Sequence, residues 1–127
     1  MTPIRVVMVD DYPDFLMVMS DVLSRAPSIR VVGAAMSGEE ALTLVHDLRP
    51  DLVLMDLVMP GINGLDAAHR IKEMPKPPRV VLVTLNDGPE YRARAAAVGA
   101  DGFLSKSNVS AELLPLIRTL FPMNAIA

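Results

Sequence analysis

Apolar residues along the chain fall into two regimes: short unbroken runs, and longer stretches where they recur every three or four positions. Residues 4–9 (Ile-Arg-Val-Val-Met-Val) are β-branched and apolar, read as a first strand, and stop at Asp10 and Asp11. Over 13–26 the period changes. Pro13 suits a first helical turn, and Asp14 complements its positive end. Phe15, Met19, Val22 and Leu23 form an apolar face, leaving Asp21 and Arg25 to water. Pro27 and Ser28 end that helix. Residues 29–34 form a second strand, more polar and so nearer a sheet edge. Ser37 reads as the N-cap of a second helix, with Glu39 and Glu40 in its first turn. Its buried stripe is Ala41, Leu42, Val45 and Leu48, and Arg49-Pro50-Asp51 breaks it.

Residues 52–55 (Leu-Val-Leu-Met) are apolar throughout, as expected of a strand buried on both faces of a parallel sheet. Asp56 ends that run, and Pro60, Gly61, Asn63 and Gly64 mark the loop beyond it. A third helix over 65–74 is stopped by prolines at 75, 77 and 78. Residues 79–84 form strand four, 86–89 a turn, and 89–98 an alanine-rich helix ended by Gly99. A short fifth strand at 100–104 leads through Ser105-Lys106-Ser107 into a last helix over 109–121, with Leu113, Ile117, Leu120 and Phe121 on one face. Pro115 removes one hydrogen bond there, which predicts a kink or a later helix start. Strands alternating with helices through short connections predict an α/β fold: one doubly wound parallel sheet with right-handed crossovers, in one domain over 1–127.

Composition narrows the chemistry. The chain of 127 residues has no cysteine, which excludes thiolate metal sites, thiol redox chemistry and disulfides. The N-terminus reaches Asp10 and Asp11 too early for a signal peptide, and no apolar run approaches the ~20 residues that span a bilayer. A cytoplasmic protein away from membranes is the expectation. Lysine and arginine number 12 against 15 acids, a net −3, which argues against direct nucleic-acid binding. Nine methionines and five aromatics (2 Tyr, 3 Phe) predict an aliphatic, adaptable core.

Polar residues gather where the strands end: Asp10 and Asp11 after the first, Asp56 after the third, Thr84 after the fourth and Lys106 after the fifth. If the strands take the order 2-1-3-4-5, the first and third flank the switch point where a crevice opens. Three carboxylates in one crevice repel one another unless a cation relieves them. A hard divalent ion such as Mg²⁺ suits an oxygen-only set with few protein ligands. Lys106 and Thr84 add a positive charge and a hydroxyl, which together fit a phosphoryl group beside the metal. Taken singly, each residue has a plainer reading. The Asp10-Asp11 pair can cap a helix, Thr84 is a common strand residue, Lys106 can be a solvated loop charge, and Phe103 can be core. His46 and His69 fall on predicted helices without metal-ligand partners.

In combination these motifs resemble one family, the receiver domains of two-component response regulators. The resemblance rests on Asp10-Asp11, on Asp56 in Asp-Leu-Val-Met-Pro-Gly-Ile-Asn-Gly, on Thr84, and on Lys106 in Gly-Ala-Asp-Gly-Phe-Leu-Ser-Lys. It covers essentially the whole chain and supplies the strand order. It implies that Asp56 accepts a phosphoryl group from a phosphohistidine on a sensor histidine kinase or phosphotransfer protein. Asp11 and Asp56 would ligate Mg²⁺ directly, Asp10 through water, and the carbonyl of Val58 would complete the protein ligands. Lys106 would pair with one phosphoryl oxygen and Thr84 with another. Phe103 matches an aromatic switch that turns inward when the threonine moves. The chain would be a phosphoacceptor rather than a turnover enzyme. The face formed by its fourth helix, fifth strand and fifth helix would carry output contacts or a phosphorylation-dependent homodimer.

Two departures stand out. Ser107 follows the lysine where many relatives have proline with a cis bond, and Val58 and Asn86 occupy positions that border the path of an attacking water. The Gly-Ala-Asp-Gly-Phe-Leu-Ser-Lys-Ser run resembles receivers that precede a helix-turn-helix (LuxR/NarL-like) output domain. The chain ends soon after its last predicted helix, as a stand-alone receiver or the receiver part of a longer regulator would. Alternatives are a phosphorylation-independent docking module, a flavodoxin-like flavin carrier and a haloacid-dehalogenase-type phosphatase. The flavin carrier needs a Ser/Thr/Gly-rich phosphate loop where Asp10-Asp-Tyr-Pro-Asp14 stands. The phosphatase needs a second acid where Val58 stands.

Overall fold

The computed structural model describes residues 2–85 and 88–122. Its elements alternate as β1 (Ile4–Val9), α1 (Pro13–Leu23), β2 (Ile29–Ala35), α2 (Gly38–Leu48), β3 (Leu52–Asp56), α3 (Gly64–Lys72), β4 (Arg79–Thr84), α4 (Pro89–Ala97), β5 (Gly102–Ser105) and α5 (Val109–Leu120). All strand pairs are parallel, in the order β2-β1-β3-β4-β5.

Successive residues of a strand point to opposite faces, and both faces here are apolar. Val7, Val9, Val53, Met55, Val80 and Leu82 meet α2, α3 and α4 on one side. Val6, Met8, Leu52, Leu54, Val81 and Val83 meet α1 and α5 on the other. This explains the unbroken runs: no position of β3 faces water. Burying each such side chain contributes roughly 1.5–3 kcal/mol. β2 lies at an edge and mixes exposed with partly covered residues, only Ala35 being buried, as its polarity predicts.

Caps set the helix starts. Pro13 occupies the first turn of α1, Ser37 Oγ accepts the Glu40 amide at α2, and Asn63 Oδ1 accepts the Asp66 amide at α3. Helix ends differ from the periodic pattern by a few residues. α1 stops at Leu23 rather than 26, and α3 at Lys72 rather than 74, each closing in turns with hydrogen bonds back to its last carbonyls. β5 begins at Gly102 rather than 100. Before it, Asp101 turns its carboxylate to Lys72, Arg79 and the Val80 amide. α5 starts at Val109 and runs through Pro115, so the later start does not occur. The hydrogen bond lost belongs to the carbonyl of Ala111, an exposed residue that water can reach. The turn expected at 86–89 falls partly on Asn86 and Asp87, which lie outside the described residues.

Strand register positions the site. Val9 pairs with Met55, so Asp10 and Asp56, the next residues, come level on neighbouring strands. Asp56 pairs with Val83 and Thr84 with Ser105, which brings Thr84 and Lys106 to the same rim.

Candidate functional site

The first carboxylate is fully buried. Asp10 is 0% exposed, its amide donates to the Ala35 carbonyl at 3.0 Å, and its Oδ1 accepts the Tyr12 amide at 2.8 Å. Asp56 is buried at the end of β3, and its Oδ1 accepts the Val58 amide at 3.3 Å. Asp11 is half-buried, and its Oδ1 is inaccessible to water with no hydrogen-bond partner. One carboxylate oxygen from each of Asp10, Asp11 and Asp56 lies within 4.8 Å of the others.

Lys106 enters this group from the turn after β5. Its Nζ lies 2.6 Å from Asp10 Oδ2 and 3.3 Å from Asp56 Oδ2, with the lysine side chain only 9% exposed. The contact to Asp10 is an ion pair without the direction of a hydrogen bond, whereas that to Asp56 is a hydrogen bond. Burial and the charge of Asp10 raise the Asp56 pKa above the ordinary carboxylate value, and Lys106 offsets them only in part. For Lys106, burial alone would lower the pKa. Its two carboxylate partners outweigh burial and raise it. One ammonium among three carboxylates leaves excess negative charge. That excess, the oxygen-only donor set and the orphaned Asp11 Oδ1 fit a hard divalent cation such as Mg²⁺.

Of the other residues marked by sequence, some share this rim and others lie elsewhere. Thr84 is buried at the end of β4, and Val58 is 55% exposed in the loop after Asp56. Phe103 is half-buried on β5, packed against the core beneath α4, with the Arg92 guanidinium 4.9 Å above its ring. His46 and His69 are exposed, beside Asp47 and Glu73 at 3.1 and 3.4 Å, and take no part in the site. In place of Lys-Pro, Ser107 sits in a single 3₁₀ turn over Lys106–Asn108, where Ser105 Oγ accepts the Ser107 amide at 3.4 Å. Among the described residues no peptide bond is cis.

Three contributors escaped the pattern reading. Phe15 and Tyr12 place their rings 4.5 and 5.7 Å from Lys106 Nζ. Glu39 reaches across from the first turn of α2 to accept the Ile62 amide at 2.8 Å, bracing the loop that begins at Asp56. That hydrogen bond leads the effects lowering the Glu39 pKa. Periodicity could place Phe15 and Glu39 on their helices, but it does not show what lies opposite them.

Known proteins extend this geometry. Residues 6–118 match the response regulator receiver domain family. Over 112 residues, 88% of the chain, it is 37% identical to the nitrate/nitrite response regulator protein NarL of Escherichia coli, covering 52% of that protein. Over 105 residues it is 39% identical to protein-glutamate methylesterase/protein-glutamine glutaminase 1 of Methanospirillum hungatei, covering 31% of it. The chain thus spans about half the length, or less, of these curated relatives. Among solved structures it is similar to the signal receiver domain of NarL from Mycobacterium tuberculosis. That pair has a TM-score of 0.86 at 33% identity, covering 98% of each chain. The chain belongs to the receiver domains of two-component response regulators.

Proposed function

We propose that this receiver is a phosphoacceptor whose nucleophile is Asp56. A carboxylate oxygen of Asp56 attacks the phosphorus of a phosphohistidine on a sensor histidine kinase or phosphotransfer protein. The P–N bond breaks, the imidazole leaves, and an acyl phosphate forms on Asp56. Such a transfer needs positioning and charge neutralisation more than acid–base groups. Lys106 supplies a cation to one phosphoryl oxygen and Thr84 a hydroxyl to another. Asp11 and Asp56, with Asp10 through water and the Val58 carbonyl, would hold Mg²⁺, which neutralises phosphoryl charge when bound.

The observation that carries this reading is the convergence of Lys106 on Asp10 and Asp56 at 2.6 and 3.3 Å, beside an Asp11 oxygen left without a partner. Its test is intact mass after incubation with acetyl phosphate, with and without Mg²⁺, for wild type and Asp56→Asn. The expected result is a single hydroxylamine-labile adduct that needs both Mg²⁺ and Asp56. An adduct that persists in Asp56→Asn would overturn the assignment. The absence of any adduct would favour a docking module that works without phosphorylation.

In the same reading the chain, over 1–127, is a signalling acceptor rather than a turnover enzyme, and works in the cytoplasm. No helix among the described residues is long and apolar enough to cross a membrane. Phosphorylation acts through Thr84 and Phe103 on the α4–β5–α5 face, which carries a homodimer or the contacts of a helix-turn-helix output domain controlling transcription. The net charge of −3 speaks against DNA binding by this chain itself. Unchanged amide exchange across α4, β5 and α5 when beryllofluoride and Mg²⁺ are added would refute that output route.

A further inference from the structure

The Lys106 ammonium sits in a cage with unlike walls. Two are carboxylates, Asp10 and Asp56, at 2.6 and 3.3 Å. Two are aromatic: the ring centroids of Phe15 and Tyr12 lie 4.5 and 5.7 Å from Nζ. Both fall inside the roughly 6 Å over which a ring face attracts a cation, and the attraction strengthens where water is scarce. Only 9% of the lysine side chain is exposed.

A lysine on a flexible four-carbon stem keeps one position only if its surroundings fix it. The Asp56 contact cannot do so throughout the reaction, because that carboxylate is the group that becomes phosphorylated. The rings have no such dependence. Phe15 stands in the first turn of α1, whose start is set by Pro13, so its ring is carried by a helix rather than a loop. Tyr12 lies just before that turn, and its carbonyl accepts the Phe15 amide at 3.1 Å.

We propose that Phe15, assisted by Tyr12, is a positioning residue for phosphoryl transfer: its ring face holds the Lys106 ammonium at the acceptor while the lysine's donors pass from carboxylate to phosphoryl oxygen. This inference rests on the phosphoacceptor reading. The competing role for Phe15 is core packing, since it also lies against the apolar cluster beneath α1 and α5. Shape and ring charge separate the two roles.

The experiment compares wild type, Phe15→Leu, Phe15→Tyr and 3,4,5-trifluorophenylalanine incorporated at position 15. Fluorination keeps the shape and removes most of the negative ring face. Two quantities are read: the NMR shift of the Lys106 ε protons without Mg²⁺, and the rate of phosphorylation by acetyl phosphate with Mg²⁺. In wild type and Phe15→Tyr the ε protons are shifted upfield by the ring, and Phe15→Leu loses that shift. The rate falls about three- to tenfold in the leucine and trifluoro variants and stays near wild type in Phe15→Tyr. A wild-type rate in the trifluoro variant would overturn the proposal whatever the leucine variant does, as would unshifted ε protons in wild type. Failure of wild type itself to take a phosphoryl group would remove the phosphoacceptor reading and this role with it, a result distinct from a defect confined to the variants.

Discussion

Gly64 lies directly against the backbone of Asp56, so that a Cβ at position 64 would overlap the Asp56 carbonyl oxygen and come within 2.7 Å of Leu57 Cα. The Gly64 amide also donates to the Leu57 carbonyl at 2.8 Å, closing the loop on itself. The glycine is needed here for space. Its neighbours are backbone atoms at the end of a central strand and cannot swing aside like the tip of a side chain. Gly64→Ala should therefore destabilise the protein by about 1–3 kcal/mol, the usual cost of overpacking. It should also slow phosphorylation, because the atoms displaced belong to Asp56. Urea unfolding gives the first quantity as a lower midpoint at unchanged slope, and acetyl phosphate kinetics give the second. A midpoint equal to wild type would show that the loop yields freely.

Asp101 is a structural acid within the motif that leads to Lys106. Its Oδ2 accepts Lys72 Nζ at 2.8 Å and the Val80 amide at 2.8 Å, and its Oδ1 accepts an Arg79 nitrogen at 3.1 Å. Burial alone would raise its pKa, but these donors outweigh burial and lower it. An acid with a depressed folded-state pKa stabilises the fold above its unfolded value, near 4, and loses that contribution as pH falls through the folded value. Asp101→Asn should cost about 1–3 kcal/mol at pH 7. The difference from wild type should shrink below about pH 4. Urea midpoints measured from pH 2 to 7 test both parts. A gap independent of pH would mean that shape, rather than charge, is what Asp101 contributes.

Much of this architecture was legible because both faces of the sheet are covered. A strand with two dry faces must be apolar, so β3 and, apart from Arg5 and Arg79, β1 and β4 stood out as apolar runs, and the polar residue ending each run marked the sheet's rim. The positions of Asp10 and Asp56 follow from that logic, since parallel pairing of Val9 with Met55 brings strand ends level. Residues that work across the fold were not legible. Phe15 shares its spacing with Met19 and Val22, so the pattern assigns it to the core, and nothing local shows a lysine 91 positions later beneath its ring. Glu39 looks like a first-turn acid answering a helix dipole, yet its oxygen holds an amide 23 residues away. Pro115 shows the opposite balance: local chemistry forbids one bond, yet the helix still starts at Val109, where Val109, Leu113 and Ile117 form its buried stripe.

Ionised Asp56 is unfavourable to the fold while no divalent cation offsets its burial and the charge of Asp10. An acid whose folded-state pKa is raised, as for Asp56, is less stable ionised in the folded chain than in the unfolded one. That penalty grows as pH rises from the unfolded to the folded value and is complete at higher pH. Neutral Asp56→Asn should therefore raise the melting temperature at pH 7 without Mg²⁺. Added Mg²⁺ should stabilise wild type by about 1.4 kcal/mol at ten times its dissociation constant, and should stabilise Asp56→Asn less at the same concentration. Differential scanning calorimetry with and without Mg²⁺ reads both effects. An equal Mg²⁺ response in the two proteins would exclude Asp56 as a ligand.

If Asp56 carries the acyl phosphate proposed above, Val58 should set how long it lasts. Its amide donates to Asp56 Oδ1 at 3.3 Å, while its side chain is 55% exposed, so the residue is fixed by its backbone and open at its tip. An isopropyl group there cannot hydrogen-bond a water approaching the phosphorus. An asparagine of similar size can orient one. Because the side chain is outside the core, Val58→Asn should leave the urea midpoint within about 0.5 kcal/mol of wild type. A single added hydrogen bond contributes about 1 kcal/mol, and if it is realised only in the transition state it speeds hydrolysis about fivefold. The variant, phosphorylated with acetyl phosphate and freed of excess donor, should lose its adduct faster by that factor in intact-mass time courses. Equal lifetimes would show that the attacking water does not pass Val58, leaving the β4–α4 side of the site as its route.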